Sequence, residues 1–416
     1  MIDFELSEGI QTQRQMVHAV AEQAMRPIAR EYDEREHEKP WDFLNMMWQV
    51  SSGNPVSTGG EKKPKEERAE RNLSICVSIE ELSWGDAGLY LSIPNTGLGG
   101  AAVAAAGTPE QKERFLSRFG GGKPKWAAMA ITEPGCGSDS SAIQTTAQRD
   151  GDHWVINGTK IFCTSGLMAA EKSDGFVVVW ATLDRSAGRA GIKAFVVEAG
   201  TPGMYVTKVE NKLGIRASDT ATLVFEDCRV PLDNILGSPE VPKTSEGFKG
   251  VMATFDATRP IVAASAIGVG RAALDFVKDT LKEHGIEIRY GLSPHKLTVL
   301  EHDVMEMEAQ LEAARLLTWR AAWMMDNGMR NNLEASMAKA KAGLAVTQIT
   351  QKAVEILGPS YDQVFENSLG FNARRHLFDV GIRLRLADVA LGPLQLAKRD
   401  RHERVAHRGT PHVGDG

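Results

Sequence analysis

Apolar residues along this 416-residue chain keep helical spacing, switch to short β-branched runs, then return to helical spacing, and that double switch limits the architectures open to it. Over 12–34, Met16, Val17, Val20, Ala21, Ala24, Met25 and Ile28 form one stripe on an otherwise charged helix. Residues 72–91 read as a second helix. Thr108, Pro109 and Gln111 supply an N-cap, a first-turn proline and the far member of a capping box, opening a third helix through Phe115. Between the first two, residues 51–65 are rich in Ser, Gly, Pro and Lys and read as an exposed loop.

After Lys125 the pattern changes. Trp154-Val155-Ile156, Asn157-Gly158 and Lys160-Ile161-Phe162 together predict a hairpin, because Asn-Gly readily takes the positive φ angles of a type I′ turn. Residues 176–180, 192–197 and 221–225 supply further strands, none alternating with a long helix, which excludes a doubly wound sheet. Helical periodicity returns over 263–277, 304–325 and 333–356, with alanine-rich faces suited to close packing. The reading is an α+β multidomain chain: an amino-terminal helical domain over 1–124, a middle β domain over 125–237, a carboxyl-terminal four-helix bundle over 238–400 and a polar tail over 401–416.

A net charge of −6 argues against a general nucleic-acid binder, and the widely spaced Cys76, Cys136, Cys163 and Cys228 form no CxxC pair, so neither a zinc site nor a disulfide framework is expected. The amino terminus carries no basic region followed by an apolar stretch, and nowhere do eighteen apolar residues run together. A cytoplasmic chain without membrane insertion is expected.

The chemistry concentrates in Ala130-Ile131-Thr132-Glu133-Pro134-Gly135-Cys136-Gly137-Ser138-Asp139 and in Phe162-Cys163-Thr164-Ser165-Gly166. Both resemble the flavin-binding signatures of the acyl-CoA dehydrogenase family. The resemblance covers most of the chain, including Lys212-Leu213-Gly214-Ile215-Arg216-Ala217-Ser218-Asp219-Thr220 and Phe255-Asp256-Ala257-Thr258-Arg259-Pro260. It implies FAD as cofactor, an acyl-CoA substrate, an electron-transfer flavoprotein or similar acceptor, and assembly into a homotetramer. An isoalloxazine needs a flat apolar wall and hydrogen-bond donors at its polar edge, and glycines let backbone amides approach phosphate closely. By resemblance, Met129, Ile131, Thr132, Gly137 and Ser138 line the flavin and its pyrophosphate, Thr132 and Thr164 donate to the ring edge, and Phe162, with Cys163 beside it, covers the ring. Ser138 also faces substrate. The plainer alternative is that Gly135 and Gly137 only make a tight turn and Phe162 is core.

Arg259 resembles the family's arginine beside the thioester, and Asp256 a substrate-contacting position at the same helix start; a helix-entry ion pair is the alternative for both. Gly268-Val269-Gly270-Arg271-Ala272-Ala273, with Glu287 beyond, fits G-x-G-x-x-A. No strand precedes those glycines and the apolar spacing is helical on both sides, so they read as helix packing rather than a nicotinamide site.

The chain departs from the family pattern where the catalytic base belongs. Thr258 occupies one location that supplies a glutamate in some branches. Counting from Phe378-Asp379 puts Ala387 at the other, with Asp388 beside it, whereas anchoring on Gly392 and Gln395 puts Leu391 there. Asp388 is the candidate base; a solvated helix-side carboxylate is the alternative. The family's arginine that reaches a neighbouring subunit's FAD is matched by Arg289 through a shift of register, and Glu355 and Gly358 fall in the segment resembling its second pyrophosphate contact. A negative Glu355 beside pyrophosphate is unfavourable unless another cation or a shift in geometry offsets it. Two further readings keep the fold: a flavin oxidase or monooxygenase, and a non-catalytic subunit of a mixed oligomer that has lost its base.

Overall fold

A computed structural model of the protein describes residues 5–52, 70–241 and 249–357, with side chains at all of these except Ser52 and residues 249–256. The expected loop over 51–65, apart from its first residues, the tail over 401–416, Gly358 and Asp388 lie outside the described residues.

Helix α1 (Glu8–Val20) passes through one π-helical turn (Ala21–Met25) into α2 (Arg26–Glu34), matching the apolar stripe. Ala21 sits against Gly85, where a Cβ would come within 2.9 Å of the alanine methyl, so the widened turn lies where the two backbones approach. After α3 (Trp41–Ser52), α4 (Arg71–Ser92) bends at Asp86, whose φ of −168° and ψ of 125° are extended. The Asp86 carboxylate accepts from the Leu89 amide at 2.7 Å and so starts a second helical segment. The apolar periodicity of 72–91 does not signal this bend, although Gly85-Asp86 pairs a helix-weakening glycine with a preferred N-cap residue. Helices α5 (Gly97–Ala106) and α6 (Pro109–Leu116) follow, and the Thr108–Gln111 capping box forms with both reciprocal bonds.

A seven-stranded sheet comes next, comprising β1 (Ala127–Ala130), β2 (Thr146–Asp150), β3 (His153–Thr164), β4 (Phe176–Thr182), β5 (Ile192–Glu198), β6 (Met204–Val209) and β7 (Thr220–Pro231). The order is β1-β4-β2-β3-β7-β6, with β5 also pairing β4. β1 and β4 are buried at every residue, and their alternating side chains divide between two cores. Ala128, Ala130, Val177 and Val179 join the core shared with α4, β3 and β7, while Ala127, Met129, Val178 and Trp180 join the one beneath α5 and α6.

The expected Asn157-Gly158 hairpin does not form. β3 runs straight through both residues, and the turn lies earlier, where Gly151 at φ 61° and Asp152 join Asp150 to His153. Asn157-Gly158 instead lies opposite a bulge in β7, where Asp227 takes φ 45°: the Asn157 side-chain amide is joined to Asp227 by two hydrogen bonds, and a Cβ on Gly158 would lie 2.4 Å from Thr145 Oγ1. Long pairing of β3 with β7 therefore overrides the local turn preference.

Helices α7 (Lys249–Glu283), α8 (Val299–Asp326) and α9 (Asn332–Leu357) pack around the Ala263, Ile267, Leu311 and Ala342 core. Among the described residues, 257–283 is the stretch long and apolar enough to cross a membrane, and it is a mostly buried core helix. The G-x-G-x-x-A segment lies inside α7, as the helical spacing implies. A Cβ on Gly268 would meet the Glu80 carbonyl at 2.2 Å, so that glycine lets α7 pack on α4. Beside it Arg271 binds the Glu80 and Glu81 carboxylates, and Arg315 reaches Glu80 at 2.9 Å, joining the amino- and carboxyl-terminal helices by buried charge pairs. Burial alone would raise the Glu81 carboxyl, but Arg271, Arg14 and His18 overcome this and hold it at about 2.

Candidate functional site

Two segments meet beyond the end of β1. The chain leaves β1 through Ile131 and Thr132, then makes a tight turn in which Glu133 and Cys136 exchange backbone hydrogen bonds of 2.9 and 3.2 Å. Gly137 and Ser138 follow, exposed, before a short turn capped by Asp139. From the other side, β3 carries Ile161 to Thr164 alongside. The Ile161 amide donates to the Thr132 carbonyl at 2.8 Å, and Cys163 Sγ reaches the Met129 carbonyl at 3.5 Å. Thus Met129, Ile131, Thr132, Phe162, Cys163 and Thr164, separated in sequence by three dozen residues, border one surface.

A bulge between Lys160 and Cys163 sets its shape. Phe162 takes φ 58°, a left-handed conformation unusual for a bulky side chain, and its ring is 61% exposed. Ser165 has φ 57°. This corrects the core alternative for Phe162: the chain spends strain to hold an aromatic face outward. The glycines carry a complementary signal. A Cβ on Gly135 would meet nothing within 4 Å, and one on Gly137 only Thr132 Cγ2 at 3.8 Å, so the chain's own packing does not demand glycine at either. An exposed aromatic wall, hydroxyls at its side and an unobstructed glycine backbone fit a planar ring with a phosphate tail.

The brace beneath this surface was not anticipated from the sequence. Lys160, 0% exposed, donates to Glu133 Oε1 at 2.7 Å and to the Ile131 carbonyl at 3.2 Å. Glu133 also accepts from the Thr145 hydroxyl at 2.6 Å and from the amides of Gln144 and Thr145 at 2.6 and 3.0 Å. Burial pushes the Glu133 carboxyl up, but Lys160 and these donors outweigh it and hold it below its usual range. Burial depresses Lys160 while Glu133 opposes the shift; the pair is ionised and mutually dependent. The available signal was alternation: Trp154, Ile156 and Lys160 are spaced two or four apart, which points the lysine to the buried face of β3.

Met129, Ile131 and Cys163 have buried side chains, Met129 and Ile131 in the core beneath α5 and α6 and Cys163 in the other, and burial raises the Cys163 thiol. The remaining candidates lie on the helical bundle. Arg259 is within α7, ten residues beyond its Lys249 start, which corrects the helix-entry placement given to it and to Asp256. Pro260 follows inside the helix, removing the amide that would bond the residue 256 carbonyl. The Asp256 side chain is outside the described set. Burial, and then the charge of Arg259, depresses Lys339 on α9, which brings two cations near each other. Arg289 is engaged within its own chain: Nε and Nη2 donate to the Glu301 carboxylate at 2.6 and 2.9 Å, and Glu301 also closes the capping box of α8. Glu355 pairs with Lys352 at 2.7 Å, and the same ammonium reaches Asp303 at 3.3 Å.

Three domain models match in chain order: the acyl-CoA dehydrogenase N-terminal domain over 7–123, middle domain over 128–228 and C-terminal domain over 245–361. The chain belongs to the acyl-CoA dehydrogenase family. Short-chain specific acyl-CoA dehydrogenase, mitochondrial, from Bos taurus is 39% identical over 85% of this chain and 82% of that one. The short-chain specific acyl-CoA dehydrogenase of Clostridium acetobutylicum is 38% identical over 86% and 89% of the two chains. Butyryl-CoA dehydrogenase from Megasphaera elsdenii superposes with a TM-score of 0.76 at 30% identity, covering 95% of this chain and 100% of the other. The helical, β and helical order expected from periodicity is thus the acyl-CoA dehydrogenase fold, and the enzyme class is oxidoreductase.

Proposed function

We propose that the protein is an FAD-dependent acyl-CoA dehydrogenase that converts an acyl-CoA thioester to its 2-enoyl-CoA. One proton leaves Cα and one hydride leaves Cβ, so the substrate gives up two electrons and the double bond forms between these carbons. FAD, when bound, supplies the hydride acceptor, and an electron-transfer flavoprotein or similar protein takes the electrons onward. The observation that carries this reading is the strained, outward Phe162 beside Thr164, fastened to the open Thr132–Ser138 loop.

In this reading Phe162 packs on the ring and excludes water from one face, Thr132 and Thr164 donate to its polar edge, and the Gly137 and Ser138 backbone receives the pyrophosphate. Ser138, Asp256 and Arg259 orient the thioester, Arg259 through its positive charge. Asp388 takes the α-proton. In an assembled homotetramer, Arg289 exchanges Glu301 for the neighbouring subunit's cofactor, and Glu355 with Gly358 completes the same contact.

The test is the visible spectrum of the purified protein during anaerobic addition of butyryl-, octanoyl- and palmitoyl-CoA. Bleaching of the oxidised flavin band by one of them is expected, with Asp388→Asn abolishing it. A bound flavin that no thioester bleaches refutes the dehydrogenase reading.

A further inference from the structure

Asp219 is buried where the β domain meets the amino-terminal helices, next to the point where β3 ends. Its backbone carbonyl accepts from the Ser165 amide at 3.0 Å and its Oδ2 from the Leu167 amide at 2.9 Å. It therefore fixes Ser165 and Leu167, the first and third residues after Thr164, and caps the short helical turn beginning there. Thr220, its neighbour, pairs directly with Thr164 in the sheet. Asp219 Oδ1 faces Lys39 Nζ at 3.3 Å, and the same ammonium donates to the Ala217 carbonyl at 2.8 Å. The two side chains are 7% and 2% exposed.

A carboxylate so enclosed needs a cation, because leaving it alone would neutralise it or pull it toward water. Lys39 comes from the α2–α3 connection, which holds the β6–β7 loop at two more places: Glu36 accepts from the Lys212 amide at 2.6 Å and pairs with Arg216 at 3.2 Å, and His37 meets Asn211 at 3.0 Å. Lys212 in turn ties the Ile215 and Ser218 carbonyls together. Every contact stiffens the loop that delivers Asp219.

We propose that Lys39 is a positioning residue for the flavin edge: through Asp219 it sets the Thr164–Leu167 backbone and hence the direction of the Thr164 hydroxyl. The inference rests on the flavin reading above. It goes beyond that reading by coupling the amino-terminal helical region, which has no residue among the cofactor candidates, to the electronics of the bound ring.

Lys39→Met, Asp219→Asn and the double variant test it as holoproteins. Lys39→Met strands an anion and should weaken FAD binding by about tenfold, equivalent to about 1.4 kcal/mol, with a shifted visible band and altered midpoint potential. Asp219→Asn keeps an oxygen for the Leu167 amide, so combining the two should restore affinity to within about threefold of wild type, about 0.6 kcal/mol. If Lys39→Met lowers only the melting temperature and leaves the FAD dissociation constant, spectrum and potential at wild-type values, the positioning role is overturned. Should Lys39→Met not fold, Asp219→Ala decides in its place: it removes the oxygen that holds the Leu167 amide, so unchanged flavin properties there also overturn the proposal. A Thr164→Val protein with an altered spectrum beside an unaltered Lys39→Met protein refutes this proposal alone. A wild-type protein that binds no FAD refutes the flavin reading and this proposal with it.

Discussion

Lys160→Met removes the cation beneath the candidate flavin loop while preserving side-chain length, so its cost is electrostatic rather than a cavity. Breaking a buried pair by deleting one partner typically costs about 3–5 kcal/mol. Here Glu133 keeps three donors, the Thr145 hydroxyl and the amides of Gln144 and Thr145, which places the expected loss near the low end, about 3 kcal/mol. The Ile131 carbonyl also loses its 3.2 Å partner, so the loop loosens where it borders Phe162 and FAD affinity falls with stability. Adding Glu133→Gln removes the stranded charge. Its amide nitrogen would, however, face the Gln144 amide, donor against donor, so the double variant should remain about 1–2 kcal/mol below wild type. The pH dependence has a definite sign. Without Lys160 the Glu133 carboxyl loses its largest lowering partner and lies higher than in the wild type, so the deficit relative to wild type is greatest above neutral pH and narrows as acid protonates it. Urea unfolding of the apoprotein across pH, paired with FAD titration, measures both. A loss under about 1 kcal/mol at neutral pH, or a deficit that widens in acid, would refute the buried-pair reasoning.

Phe162→Gly should relieve the left-handed backbone and stabilise the apoprotein by about 1 kcal/mol while weakening FAD severalfold, read by thermal melts without and with cofactor. Gly268→Ala must displace the Glu80 carbonyl, 2.2 Å from the new methyl, and should destabilise by more than about 2 kcal/mol in denaturant unfolding. Glu81 has a folded pKa below its unfolded value, so its stabilisation is present above about 4.5 and is lost as pH falls toward about 2. Acid titration followed by circular dichroism should therefore show Glu81→Gln with a shallower stability loss than wild type across that window.

The sequence and the structure agree most closely where a few adjacent residues decide the outcome. Thr108, Pro109 and Gln111 specify a helix start by bonds that close within three residues, and they form as read. Gly268 and Gly270 were legible as packing glycines because the surrounding period is helical. Disagreement appears where a partner distant in the chain decides. Asn157-Gly158 carries a strong turn preference, but nine paired positions with β7 and the Asn157–Asp227 bonds hold it within a strand. Nothing local pairs Lys160 with Glu133 across 27 residues or Lys39 with Asp219 across 180. The side chains proposed to touch flavin were visible by resemblance, whereas the charges that hold them in place were hidden by sequence distance.

The glycines of this chain separate packing from ligand approach, and Gly137 supplies the sharpest case. At Gly97 and Gly99 a Cβ would strike the Ala127 and Ala128 carbonyls at 2.6 Å, so the close approach of α5 to β1 explains both. Gly137 has neither such a neighbour nor a positive φ, and its side is open except for a methyl at 3.8 Å. Alanine there should leave the apoprotein unchanged or stabilise it by about 0.4–1 kcal/mol, because it restricts the unfolded chain without straining the folded one. If pyrophosphate approaches this backbone, the added methyl occupies the approach, and the same substitution should weaken FAD binding by about tenfold or more, a difference of about 1.4 kcal/mol. Stability and affinity would then move in opposite directions on one methyl group. Equal FAD dissociation constants for wild type and Gly137→Ala, measured by flavin fluorescence on the two apoproteins, would place the phosphate elsewhere and leave Gly137 as an ordinary turn residue.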